Sequence, residues 1–442
     1  MLEKLKLFLI HAFAHIFLYA IPRWVYTLLV KVPVTTWEWL TGRHPYTYSR
    51  AKERHINVIA SRKDTATSGR LLQQLGLTYN MEYRGPLYNG DIQTLIGNMY
   101  WGRRVNYQRE LVEGFDGNLI CLDWLTVPKG VTVKGAILVI PGVGNYCQTP
   151  FVQRLARSAT SKGFQFCVLS PRGMGSAPLT KPCLTCITFT QDARTVLRER
   201  FSYHQIRARF GEELPVFLLG YSAGGTTLVK TMVEEFDAFK KDSSCYPGGF
   251  PVKGVVSMNA PYNMFVHHEV ISKCAFYYQR PMVESLHKYV LRHADLVVKG
   301  LPGLPPLKDK QDLKDKVVKM KTANDFNEHF VAPHFGYKEG AKGYYEDAAG
   351  FKWLKKSDVS VPVVCVASRQ DPITGISHTD EEWQVLTDQH PNVVFVDTPV
   401  GGHLAYLPNP IDAWQEKGSF LIDFPLHVFK HASEKASKPK VV

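Results

Sequence analysis

The chain is poor in several features that would have pointed to other classes of protein. Eight cysteines in 442 residues are too few and too scattered for a disulfide scaffold. Cys183 and Cys186 form a lone C-x-x-C, with no second cysteine pair or histidine pair at zinc spacing, and read as loop cysteines. No Asn-x-Ser/Thr sequon occurs, which leans towards a body facing the cytosol. Beyond the first thirty residues no uncharged apolar run approaches the ~18 residues of a spanning helix, so a polytopic membrane protein is excluded. Gly142-x-Gly144 and Gly173-x-Gly175 both stop short of G-x-G-x-x-G, and no Walker-type loop is present. Internal repeats and extended low-complexity segments are missing too.

What is present is the composition of a folded protein, 45% hydrophobic and 21% charged, which excludes a disordered chain. The net charge of +13 is unevenly placed. Residues 1–110 carry +8 and residues 430–442 carry +3, leaving +2 for everything between. A nucleic-acid partner is therefore not indicated. Basic ends beside an apolar segment fit attraction to anionic lipid headgroups.

That apolar segment runs from Leu7 to Val30, with 16 uncharged residues from Leu7 to Pro22 before Arg23. It spans a bilayer only if Arg23 snorkels to an interface, where Tyr19, Trp24 and Tyr26 supply interfacial aromatics. No good small-x-small cleavage site follows, which weighs against a signal peptide. An amphipathic core helix is a further competing reading. We expect residues 1–48 to hold an uncleaved N-terminal membrane-anchor helix, and residues 49–107 an extension packing on the body. Residues 431–442 read as a basic tail.

From about residue 108 short apolar strands alternate with helices, the pattern of an α/β protein with a mostly parallel sheet. Strands are expected at 119–125, 136–140, 164–169, 216–219, 252–258, 361–367 and 393–397. Helices are expected at 151–161, 188–201 and 223–236, with a last one opening at Pro410 and running to about Lys430. Between Pro261 and about Leu354 the alternation stops, which predicts a helical lid insertion over one end of the sheet. Its Lys299–Lys321 stretch holds seven lysines and three aspartates and reads as a solvated helix face, with a membrane-facing patch as the sharper alternative. His267 and His268 lack a partner at metal-ligand spacing and read as surface or lid histidines.

The strongest motif is Gly220-Tyr221-Ser222-Ala223-Gly224, placed directly after one apolar strand and before a helix. A nucleophilic serine on such a tight turn needs small neighbours, and Gly220, Ala223, Gly224 and Gly225 provide them. Serine also needs a base, held in turn by a carboxylate, in the chain order Ser, acid, His. Asp371 and His403 follow the strands at 361–367 and 393–397 and fill those places. An acyl-transfer site needs oxyanion donors as well. The N–H of Ala223 is one candidate, and that of Val143, in the loop Pro141-Gly142-Val143-Gly144, is the other.

The chain resembles the AB hydrolase 4 family over about residues 85–430. Asp91-Ile92-Gln93-Thr94-Leu95 is similar to the family's His-Leu-Gln-Thr segment, with Asp91 where histidine is usual. Asp116-Gly117 with Leu122-Asp123-Trp124, Arg172-Gly173 through Asp192, and Phe335-Gly336-Tyr337 through Tyr344-Tyr345 resemble further family segments. The resemblance implies an α/β-hydrolase fold, an N-terminal anchor, and a triad of Ser222, Asp371 and His403. Implied activities are monoacylglycerol and ester hydrolysis, phospholipid deacylation, and acyl transfer to an alcohol. The expectation is a membrane-associated serine hydrolase of lipid esters, most of all acylglycerols, with no cofactor or metal and a membrane surface as partner. An acyltransferase and a lipid- or steroid-binding membrane protein are the rival readings.

Overall fold

The structure, a computed structural model, describes residues 56–77, 90–97, 103–273, 278–399, 401–406 and 419–436, with Leu5 and Leu9. Apart from Leu9, the apolar segment read as an anchor lies outside the described residues. Among the described residues no helix is long and apolar enough to cross a membrane.

A nine-stranded sheet organises the chain. Its strands are β1 (Asn57–Ile59), β2 (Gln108–Glu113), β3 (Leu119–Leu125), β4 (Gly135–Ile140) and β5 (Phe164–Ser170), then β6 (Val216–Tyr221), β7 (Val252–Met258), β8 (Val363–Ser368) and β9 (Val393–Thr398). Their spatial order is β1-β9-β8-β7-β6-β4-β5-β3-β2. From β9 across to β5 all neighbours are parallel, while β1, β3 and β2 add antiparallel edges. Strands with both faces covered read as unbroken apolar runs, and every residue of β4, β6 and β9 is buried. Leu138, Leu218 and Trp383 belong to the core on one face, and Val139, Phe217 and Phe429 to the core on the other.

Seven strands fall within a few residues of the sequence expectation. The two that the pattern did not reveal are edges. β2 reads Gln-Arg-Glu-Leu-Val-Glu and exposes most of its residues, and β1 is three residues long. Such strands are held by their neighbours more than by their own side chains. β1 comes from the N-terminal extension and pairs with β9, so part of that extension lies within the sheet. The final helix, Phe420–Ala436, continues past Lys430 because Ala432 and Ser433 are buried. The expected start of that helix at Pro410 lies outside the described residues.

Between β7 and β8 the chain forms a set of helices, among them Met264–Lys273, Arg280–Arg292, Lys310–Lys319 and Gly340–Asp347. They enclose a separate apolar cluster that includes Val290, Leu313, Val317, Phe330 and Tyr344. In the lysine-rich helix Lys310–Lys319, Leu313 and Val317 turn inward, while Lys310, Lys314 and Lys319 are exposed.

Candidate active site

The parallel strands β4, β6, β8 and β9 end at one edge, so the loops that follow them converge there. Ser222 sits between β6 and the helix Ala223–Lys241 with φ 52° and ψ −128°, a conformation that L side chains rarely adopt. Close packing enforces the turn. A Cβ on Gly224 would lie 2.2 Å from the Ile140 carbonyl oxygen, and one on Gly220 2.6 Å from that of Gly224. The sharp turn thus depends on the two glycines of the motif.

His403 Nε2 lies 2.9 Å from Ser222 Oγ. On its other side, His403 Nδ1 is 2.9 and 3.1 Å from the two carboxylate oxygens of Asp371. A carboxylate only accepts, so Nδ1 carries the proton and Nε2 is left to accept from the serine hydroxyl. Asp371 is fully buried. Burial pushes its carboxyl upward, but His403 and the N–H groups of Thr374 and Ile373 outweigh that and hold it below the usual carboxylate range. The three residues therefore form one hydrogen-bonded line, although 181 residues separate Ser222 from His403 in sequence.

Further residues, unforeseen from the sequence, fix that line. Asn259, just beyond β7 with φ 49°, donates from Nδ2 to Asp371 at 3.0 Å. Its side-chain oxygen accepts from the Tyr406 hydroxyl at 3.1 Å. The N–H of His403 donates to Thr94 Oγ1 at 2.7 Å. Thr94 lies in the helix Gly90–Gly97 of the N-terminal extension, and a Cβ on Gly90 would lie 1.8 Å from the Gln370 carbonyl oxygen. That helix presses on both the acid loop and the histidine loop. In the sequence Thr94 stands out only within the Asp91–Leu95 segment, which assigns it no role.

Ala223 opens the helix behind the serine, where the first N–H groups have no partner within the helix. Val143 lies in the loop after β4 and is 43% exposed. This loop passes over the serine, since a Cβ on Gly142 would stand 2.8 Å from Ser222 Cβ. A cavity of about 540 Å³ opens onto Ser222, His403, Ala223 and Val143. Phe326, Phe330, Tyr344, Tyr345, Met264 and Met282 of the insertion supply much of its wall. His267 and His268 also reach it, so they are cavity residues. Among the described residues no group of three or more His, Cys, Asp or Glu is placed to hold a metal ion.

Other motif residues build the frame. Arg172, buried, pairs with Asp116 at 2.6 Å and with Asp192, tying the β2–β3 turn to the loop after β5 and the helix Gln191–Arg200. Asp123 accepts from Arg109 at 2.8 Å and from Ser170 at 2.7 Å.

A family model described as alpha/beta hydrolase fold matches residues 135–410, more than half of the chain. The chain belongs to the alpha/beta hydrolase family. This hydrolase is 24% identical over 330 residues to phospholipase ABHD3 of Bos taurus, covering 72% of this chain and 70% of that one. It is 22% identical over 278 residues to the monoacylglycerol lipase of Saccharomyces cerevisiae, covering 62% and 55%. Among solved structures it is similar to the Pyrococcus furiosus esterase Pf2001, at 12% identity and a TM-score of 0.38 over 69% of this chain and 89% of that one. The family, with the phospholipase and the monoacylglycerol lipase as relatives, makes the chain a carboxylic-ester hydrolase.

Proposed function

We propose that this hydrolase cleaves lipid esters, acylglycerols above all, through Ser222, His403 and Asp371. The observation that carries the reading is the hydrogen-bonded line Ser222–His403–Asp371 at the floor of an apolar cavity. Ser222 attacks the ester carbonyl while His403 Nε2 takes its proton and then delivers it to the departing alcohol. Asp371 keeps His403 in the tautomer that leaves Nε2 free and stabilises the imidazolium. The N–H groups of Ala223 and Val143 hold the oxyanion. Water activated by His403 then hydrolyses the acyl-enzyme, and no metal or organic cofactor enters the sequence of steps.

The aromatic and aliphatic wall supplied by the insertion supports an acyl chain as the buried part of the substrate, with the insertion acting as a lid. The domain reading goes with it: a hydrolase body at 108–430 with the insertion at about 261–354. The yeast monoacylglycerol lipase relative favours an acylglycerol, and the ABHD3 relative makes a phospholipid the second substrate to test. A panel of acylglycerols, phospholipids and simple esters, run on wild type beside Ser222→Ala, decides between them. Turnover of the panel by Ser222→Ala at the wild-type rate would end the proposal. The apolar run Leu7–Pro22 supports membrane attachment. Deleting residues 1–40 should release the protein from a carbonate-washed membrane pellet, and full retention there would place the attachment elsewhere.

A further inference from the structure

His267 lies on the helix Met264–Lys273, which follows β7, and its ring is half-buried against the cavity that holds Ser222 and His403. His267 Nδ1 is 2.8 Å from the carbonyl oxygen of Ile373. A carbonyl cannot donate, so Nδ1 carries the ring proton and Nε2 is a bare acceptor. The tether is well anchored, because the N–H of Ile373 itself donates to Asp371 at 2.9 Å. Burial pushes the His267 pKa down to about 4, so the ring stays neutral at physiological pH.

Several polar groups on the insertion side of the cavity have protein partners. The Tyr278 hydroxyl donates to Asp91 at 2.7 Å, and Tyr345 engages Asn324 and Asn327, each at 3.1 Å. His334 is bound through both ring nitrogens, to Pro302 and Leu184. His267 Nε2 has no protein partner among the described residues. A fixed acceptor set in a largely apolar wall favours a ligand that brings a hydrogen-bond donor to it.

We infer that His267 Nε2 accepts a hydrogen bond from a free hydroxyl on the alcohol part of the substrate, which makes it a specificity residue for esters of polyols. The inference rests on the ester-hydrolase reading of Ser222, His403 and Asp371. The chemistry separates substrate classes. An ester carbonyl and an alkyl chain have no proton to offer, and an ionised phosphodiester meets a lone pair. The glycerol of a monoacylglycerol retains two hydroxyls.

The test compares a monoacylglycerol with the ethyl ester of the same fatty acid, on wild type and on His267→Asn. The asparagine amide nitrogen takes the place of Nδ1 and still reaches the Ile373 carbonyl, but nothing replaces Nε2. The expected result is a loss of roughly 10- to 100-fold in kcat/KM on the monoacylglycerol, with the ethyl ester within about twofold of wild type. His267→Gln, whose amide can place an oxygen near the Nε2 position, should recover part of the preference. Equal losses on both esters would mean that His267 supports the acid loop or the hydrolytic water, and no loss on either would mean that it reads nothing. Both outcomes overturn the inference and leave the ester-hydrolase reading intact. A wild type that cleaves the ethyl ester and not the monoacylglycerol removes the acylglycerol proposal, and this inference with it.

Discussion

The main-chain N–H of His403 donates to the Thr94 hydroxyl at 2.7 Å, joining two residues 309 positions apart. The Thr94 hydroxyl itself donates to the Gly90 carbonyl at 2.7 Å, so its oxygen lone pairs are directed at the histidine loop. Gly402 packs so closely there that a Cβ would lie 2.5 Å from Thr94 Oγ1. The helix Gly90–Gly97 precedes the segment matched by the family model, yet it sets the position of His403.

Thr94→Val keeps the shape and removes the acceptor. An unmatched buried N–H costs roughly 1–3 kcal/mol, and here that cost falls on the loop that aims His403. We expect kcat to drop about tenfold with KM little changed, and Thr94→Ser to restore it. Steady-state kinetics on a soluble ester, beside thermal melts of the three proteins, check this. A valine variant at the wild-type kcat would show that the hydroxyl is dispensable.

Ser222→Ala and His403→Ala should each abolish turnover to within measurement, since removing either residue in subtilisin costs about 10⁶. Asp371→Asn should cost on the order of 10⁴, because the wrong tautomer of His403 is then favoured. A fluorophosphonate probe should label the wild type and fail on Ser222→Ala. Labelling of Asp371→Asn at the wild-type rate would move the acid to another carboxylate, Asp380 being the nearest later one.

How much of this was legible beforehand follows from the physics of each element. β4, β6 and β9 are buried on both faces, and their Val, Ile and Leu runs state it outright. The Ser222 turn is legible because only small residues fit it, and Asp371 and His403 follow from chain order and strand ends. β1 and β2 were silent because edge strands need no apolar pattern. Asn259 and Thr94 were silent for another reason. An asparagine after a strand or a threonine in a short helix has many uses, and only the fold shows that each meets a residue more than a hundred positions away.

The Arg172 network makes a prediction about acid stability. Burial pushes Asp116 upward, but hydrogen bonds from Arg172 and Asn118 outweigh it and bring its pKa down to about 2. A carboxyl depressed on folding adds stability that is fully present above its unfolded value of about 3.9 and is lost as pH falls towards about 2, here roughly 1 kcal/mol once solvent screening of this partly exposed group is allowed for. Its neighbour Asp192 shifts the other way, because burial outweighs its bond to Arg172. Asp116→Asn should therefore be less stable than wild type at pH 7, with the gap closing between about pH 4 and pH 2. Urea unfolding of both proteins at pH 7 and pH 3 reads the difference. A gap that stays constant with pH would show that the charge of Asp116 contributes nothing.

The loop over Ser222 supplies the last test, because a backbone donor is removed by proline and spared by alanine. Val143 is 43% exposed, so Val143→Ala should leave kcat within about twofold of wild type. Val143→Pro deletes the N–H assigned to the oxyanion and should lower kcat by roughly 10²–10³, the cost of one oxyanion-hole donor in subtilisin. KM should change little, since the donor meets charge that develops only in the transition state. Proline also restricts Gly142, whose backbone lies against Ser222, so thermal melts must accompany the kinetics. If Val143→Pro melts like wild type and keeps its kcat, the donor is a neighbouring N–H of the same loop, at Gly142 or Gly144.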